Sequence, residues 1–223
     1  VALRLPALKD ESVETKVKRL RRVKAAGLIL LILCLLTAAV SALLPEGACP
    51  AGGAAVTPGG REFARLKNRV GTPTPQEFDE SVSLEALSRP GADRGRWSES
   101  RAGGIEGYVV EVVEAGIEAA NCYSYRERDV HIHVASRAGA PRTQWVVVEV
   151  TPRARLRAAE SGRDWSAAAL RSELLGRRCR FEGWLLFDRE HADESEHTAP
   201  GSPGNWRATA WELHPVTSIE VLK

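Results

Sequence analysis

Alternating apolar and polar positions dominate the chain after Gly104. "IEGYVVEVVEA" (105–115), "DVHIHVAS" (129–136) and "QWVVVEVTP" (144–152) each set Val, Ile and aromatic residues at period two. Each stretch ends at Gly, Pro or a charge cluster, so the pattern predicts three successive strands. The period then lengthens in "RDWSAAALRSELLG" (163–176), where Trp165, Ala168, Leu170 and Leu174 stand near helical spacing between Asp164, a candidate N-cap, and Gly176, a candidate stop. Two more strands follow, at 177–188 and 206–223. Ahead of them, residues 61–103 mix short apolar spacings with the turn signals "TPTP" and "RPGAD". This segment reads as a partly irregular arm with short helices near 62–69 and 83–88.

Residues 25–44, "AAGLILLILCLLTAAVSALL", break every amphipathic pattern because they are apolar on all sides. Their length matches the roughly 20 residues needed to cross a bilayer core. Val40 and Ala42 would also suit a cleaved signal peptide, but the 24-residue leader and the 20-residue run are both long for one, so an uncleaved anchor is expected. The full chain carries 31 Lys and Arg against 29 Asp and Glu, a net of +2, yet residues 1–24 alone carry eight against three, or +5. The remainder is therefore −3. The positive-inside rule places 1–24 in the cytoplasm and everything after Leu44 in the periplasm or outside the cell. Residues 45–60, rich in Gly, Ala and Pro, read as a flexible tether. Nucleic acid is not expected as the main partner of an acidic outer portion. The expected partners are the bilayer through 25–44 and an unidentified extracytoplasmic ligand or protein. Of the four cysteines, Cys49, Cys122 and Cys179 would face an oxidising compartment, so one pair could be bridged, and sequence does not choose it.

Candidate chemistry gathers on the strands. Asp129, His131 and His133 alternate with Val130, Ile132 and Val134, so the two imidazoles share a strand face and could offer two nitrogen ligands to a borderline metal. Partners would have to converge from Glu149 on the third strand, from Glu212 and His214 on the last, or from Glu190 and His191 in the connecting loop. No H-E-x-x-H or C-x-x-C spacing supports them. The residue types require no cofactor, and a divalent metal is the one they would accept. The loop "FDREHADESEH" (187–197) matches no ligand register and is expected to be a solvated, mobile rim. Trp206, Trp211, Tyr123 and Tyr125 are candidate platforms for bases or sugars, with Arg153 and Arg155 as candidate anion contacts. No nucleophile elbow or phosphate-binding loop occurs.

Three strands, a helix and two strands over 104–223 resemble the oligonucleotide/oligosaccharide-binding (OB) fold, a five-stranded Greek-key barrel with one helix between strands three and four. The closing "WELHPVTSIEV" is also similar to that of uncharacterised bacterial membrane-anchored proteins, which implies no activity. The expected architecture is thus mainly β, an OB-like barrel preceded by a transmembrane helix. The expected role is binding rather than catalysis. Two alternatives stand beside it: a metal-dependent hydrolase built on His131, His133 and His214, directed at phosphodiesters among other substrates, and a non-catalytic envelope protein.

Overall fold

The computed structural model describes residues 20–29, 32 and 48–223. The chain divides into two units, Val1–Leu44 and Pro45–Lys223. In the first, residues 20–29 are helical (α1). Among the described residues no helix is long and apolar enough to cross a membrane, and most of the expected span 25–44 lies outside them.

The second unit is a closed five-stranded barrel. Its strands are β1 (Ala102–Glu114), β2 (Val130–Ala135), β3 (Val146–Val150), β4 (Arg178–Phe187) and β5 (Trp211–Val221), joined in the order β1-β2-β3-β5-β4. Closure depends on β1, which is long enough to serve two neighbours: residues 102–108 pair with β4 and residues 108–114 with β2, with a register shift between Val109 and Glu111. Such a shift bends a strand and lets one ribbon turn the corner of a barrel. Every pairing is antiparallel except β3 with β5, which is parallel and rests on one register pair, Val148 with Leu213. Pro215 follows in β5, where the register against β4 is irregular around Gly183.

Four helices accompany the barrel: α2 (Pro58–Lys67), α3 (Leu84–Ser88), α4 (Pro152–Glu160) and α5 (Ala167–Leu174). Each begins at a hydroxyl cap, Thr57, Ser83, Thr151 and Ser166 respectively, whose side chain accepts a backbone N–H of the first turn. The expectation of one helix between β3 and β4 thus meets two. In α4 only Pro152 and Ala158 are buried, an apolar stripe too thin to show against its arginines. Asp164 does not cap α5 but accepts the Ser166 N–H at 2.8 Å, setting up the turn before it.

The segment before residue 104 belongs to the same core. Phe78 bridges to Ala102, and Val82, Leu84 and Leu87 are buried with Ile105, Val134 and Leu185. Glycines on β1 make room for them: a Cβ on Gly103 would lie 2.5 Å from Val82 Cγ1, and one on Gly107 2.5 Å from Leu84 Cδ2. The described part of the expected tether is likewise tied down, by the Cys49–Cys122 disulfide and by Ala54 N–H donating to Ala119 O at 2.8 Å. A fragment of residues 104–223 would uncover that face of β1. It is expected to lose the cooperative urea transition that a fragment of residues 48–223 retains; equal midpoints for the two would show that the arm adds nothing.

Candidate functional site

Strand alternation splits the barrel wall into two chemistries. Val130, Ile132 and Val134 of β2, Val148 of β3 and Leu213 of β5 enter the apolar core. The residues between them, His131, His133, Glu149, Glu212 and His214, therefore face outward. Register brings them together: His131 pairs with Glu149 across β2 and β3. The parallel pairing of Val148 with Leu213 sets the next residues, Glu149 and His214, side by side. This polar face is then roofed. Glu118 and Asp129 come from the β1–β2 connection, Lys67 from the last turn of α2, and Asp188 and Arg207 from the two ends of the β4–β5 connection.

The centre of the cluster is His214, fully buried. Its Nδ1 lies 3.2 Å from Glu212 Oε2 and 3.1 Å from Glu149 Oε2, and its Nε2 lies 3.7 Å from Asp129 Oδ2. His131 Nε2 is 3.0 Å from Glu149 Oε1. Lys67 pairs with Glu118, while Arg207, also without solvent exposure, pairs with Glu212 and, at 2.9 Å, with Asp188. His191 Nδ1 stands 2.7 Å from Asp188 Oδ2 at the outer edge. Three buried atoms of the cluster, His131 Nε2, His214 Nε2 and Glu149 Oε2, have no hydrogen-bond partner. Each such group costs about 1–3 kcal/mol when nothing satisfies it.

Burial and charge divide the protons. Burial pushes His214 down to about 3 and keeps it neutral, and it also lowers His131. Burial raises Glu149 well above the carboxylate range and lifts Glu212 to about 7, with the neighbouring carboxylates adding to both shifts. Burial alone would discharge Lys67, but Glu149, Glu118 and Asp129 outweigh it and raise the ammonium above its ordinary value. The hydrogen bond to Asp188 raises His191 to about 9. The proton on His191 therefore stabilises the fold fully below its ordinary value of 6.5, and that contribution is lost as pH rises through about 9.

Of the sequence candidates, the structure assembles His131, Glu149, Glu212 and His214, and places His191 at the edge. His133 is not among them. It points to Glu111, with 2.8 Å between Nδ1 and Oε2, and stacks on Trp145 at 5.3 Å between centroids. The proposed aromatic platform does not form. Trp211 is a core residue that packs edge-on against Trp97 and Phe187 and donates to Asp93 O. Trp206 is half-buried and bonded to Glu194, and Tyr123 and Tyr125 are exposed. Arg153 donates to Cys49 O rather than to a ligand face. Arg155 lines an open cleft of about 550 Å³ with Arg126, Arg163 and Trp165, beside α4.

Sequence reasoning missed Lys67, Asp93, Glu118 and Arg207, because a charge in a turn or on a helix reads as solvated until the chain above it is known. It also misread "FDREHADESEH". Asp188, Ala192 and Ser195 are buried, Ser195 bridges to Arg207, and Asp93 accepts from Thr209 Oγ1 and Ala210 N–H, both at 2.8 Å. The connection is a hydrogen-bonded, partly buried roof rather than a solvated loop.

Removing Arg207 would strand two buried carboxylates. Arg207→Met is expected to cost about 3–5 kcal/mol in urea unfolding, and adding Asp188→Asn and Glu212→Gln to it should recover much of that loss. A triple variant as unstable as the single one would show that packing, not charge, is what Arg207 supplies.

Comparison with protein families, with curated proteins and with solved structures finds no match for this chain, so the chemistry of the site is read from its own side chains.

Proposed function

We propose that the chain is a single-pass membrane protein whose C-terminal unit is an OB-like binding domain outside the cytoplasm, with residues 25–44 as the anchor. Support for the OB-like reading comes from the order β1-β2-β3-β5-β4 and from helices carried between β3 and β4. The extracytoplasmic placement draws on the Cys49–Cys122 bridge, since disulfides persist in oxidising compartments. It agrees with the side to which the basic leader assigns everything after Leu44.

One observation favours binding over catalysis: enclosure. The His/carboxylate cluster is roofed, with Asp129, Glu149, Glu212 and His214 all buried. Of the residues the hydrolase alternative needs, His214 is sealed from solvent and His133 is turned to Glu111. The open cleft of about 550 Å³ beside α4 has the size of a small-molecule site. Three guanidinium groups, of Arg126, Arg155 and Arg163, line it against two carboxylates, of Glu127 and Asp164. A guanidinium fork suits a planar carboxylate or a phosphate, so the ligand class is a small anion.

A thermal-shift panel of small phosphates and carboxylates should yield at least one compound that raises the melting temperature of the wild type. That shift should disappear in Arg155→Ala/Arg163→Ala. A panel without a shift, or a shift that the double variant keeps, would remove the cleft as the ligand site. A reporter fused after Lys223 that is active only in the cytoplasm would reverse the topology.

A further inference from the structure

The seam between β3 and β5 is the thinnest in the barrel, since one parallel register pair, Val148 with Leu213, joins the two strands. The residues that follow this pair on each strand are Glu149 and His214, and their side chains meet on the outer face with 3.1 Å between Oε2 and Nδ1. Asp129, which enters β2 from the other side, brings its Oδ2 to 3.7 Å from His214 Nε2. All three residues are buried, and their ligand atoms lie within 4.8 Å of one another.

We propose that Asp129, Glu149 and His214 form a binding site for one divalent transition-metal ion, which staples β3 to β5 from outside the barrel. The first support is the pair of unpartnered atoms in this triad. Glu149 Oε2 and His214 Nε2 are buried without a hydrogen bond and point into the cluster. His131 Nε2, also unpartnered, stands 3.0 Å from Glu149 Oε1 and adds a fourth donor at the rim.

The second support is spacing. Four ligands about 2.0–2.1 Å from a tetrahedral ion stand about 3.3 Å apart. One ligand atom each from Asp129, Glu149 and His214 lie within 4.8 Å of one another, so small side-chain rotations bring them to that spacing. Charge is the third. With Asp129 and Glu149 both ionised on binding, two carboxylates and an ion of charge +2 sum to zero, the arrangement that a fully buried site favours. Imidazole with carboxylate suits zinc, manganese, iron or cobalt, whereas calcium and magnesium take oxygen donors.

Asn121 donates to one oxygen of Asp129, and Glu212 meets His214 Nδ1, which leaves His214 Nε2 and Glu149 Oε2 without a hydrogen bond. Lys67 holds Glu118, and Arg207 holds Glu212 and Asp188. The protein thus supplies its own cations on both flanks. The ion has a structural role here, because Asp129, Glu149 and His214 are all buried beneath the roof.

The test uses the untagged full chain in detergent, stripped with a chelator and titrated with Co²⁺ and Zn²⁺. One equivalent should bind with a dissociation constant below about 1 µM. The cobalt form should absorb in the visible range, and zinc should raise the melting temperature while calcium does not. Glu149→Gln and Asp129→Asn should each weaken binding at least 100-fold, whereas His133→Gln should leave it within threefold of wild type. X-ray absorption of the wild-type zinc form covers the case in which those variants do not fold, and it should show imidazole and oxygen ligands without sulfur. A wild-type chain that binds no cobalt or zinc at 100 µM would overturn the proposal. So would folded Glu149→Gln that keeps wild-type affinity, or a zinc shell containing sulfur.

Discussion

Arg207 ties the β4–β5 connection to the barrel wall. Its guanidinium is sealed from solvent between Asp188 and Glu212, so it joins the first residue after β4 to β5 through charge that water cannot screen. A buried ion pair is weak support for stability in itself, because desolvation offsets attraction, but it is intolerant of rearrangement. Arg207 thereby pins the connection at its start, Asp188, and near its end, against Glu212. Asp93 closes the same roof from the arm, by accepting from Thr209 and Ala210.

This constraint explains why the outer barrel wall is polar and yet buried. A strand that alternates apolar with ionisable residues ordinarily presents the second set to water. Here the roof takes that place, and every ionisable group must find a partner, lose its charge or accept a cation. Glu118 takes the first course with Lys67, and neutral His214 takes the second. The unpartnered atoms of Glu149 and His214 mark where the protein's own groups run out.

Much of the barrel was legible in the sequence because β-alternation is a local signal. The five strands, the shared face of His131 and His133 and that of Glu212 and His214 follow from period two, whereas the pairing of His131 with Glu149 needed the strand register. The site was legible in half. His131, Glu149, Glu212 and His214 could be named because they sit on strands, whereas Lys67, Glu118 and Arg207 lie at a helix end and in connections where nothing local says which way a charge will turn. The same blindness made "FDREHADESEH" look solvated. Asp188 is satisfied by Arg207 and His191, Glu194 by Trp206 and Glu196 by Asn205, and none of these partnerships has a spacing rule. The arm was misjudged for a related reason: Val82 and Leu84 are too few to declare a core, and their complement is the absence of side chains at Gly103 and Gly107.

The central claim is that the roof is as much a part of the folded unit as the barrel, and amide hydrogen exchange in the native state measures this directly. The amides of Trp206, Ala208 and Ala210 donate to Glu194 O, Trp145 O and Asp93 Oδ2 respectively. They should exchange only through the same global opening that exposes Leu213 in β5, with matching free energies. Exchange of those three amides at the rate of an unprotected loop, while Leu213 stays protected, would contradict the account and return residues 188–210 to the status of a mobile rim.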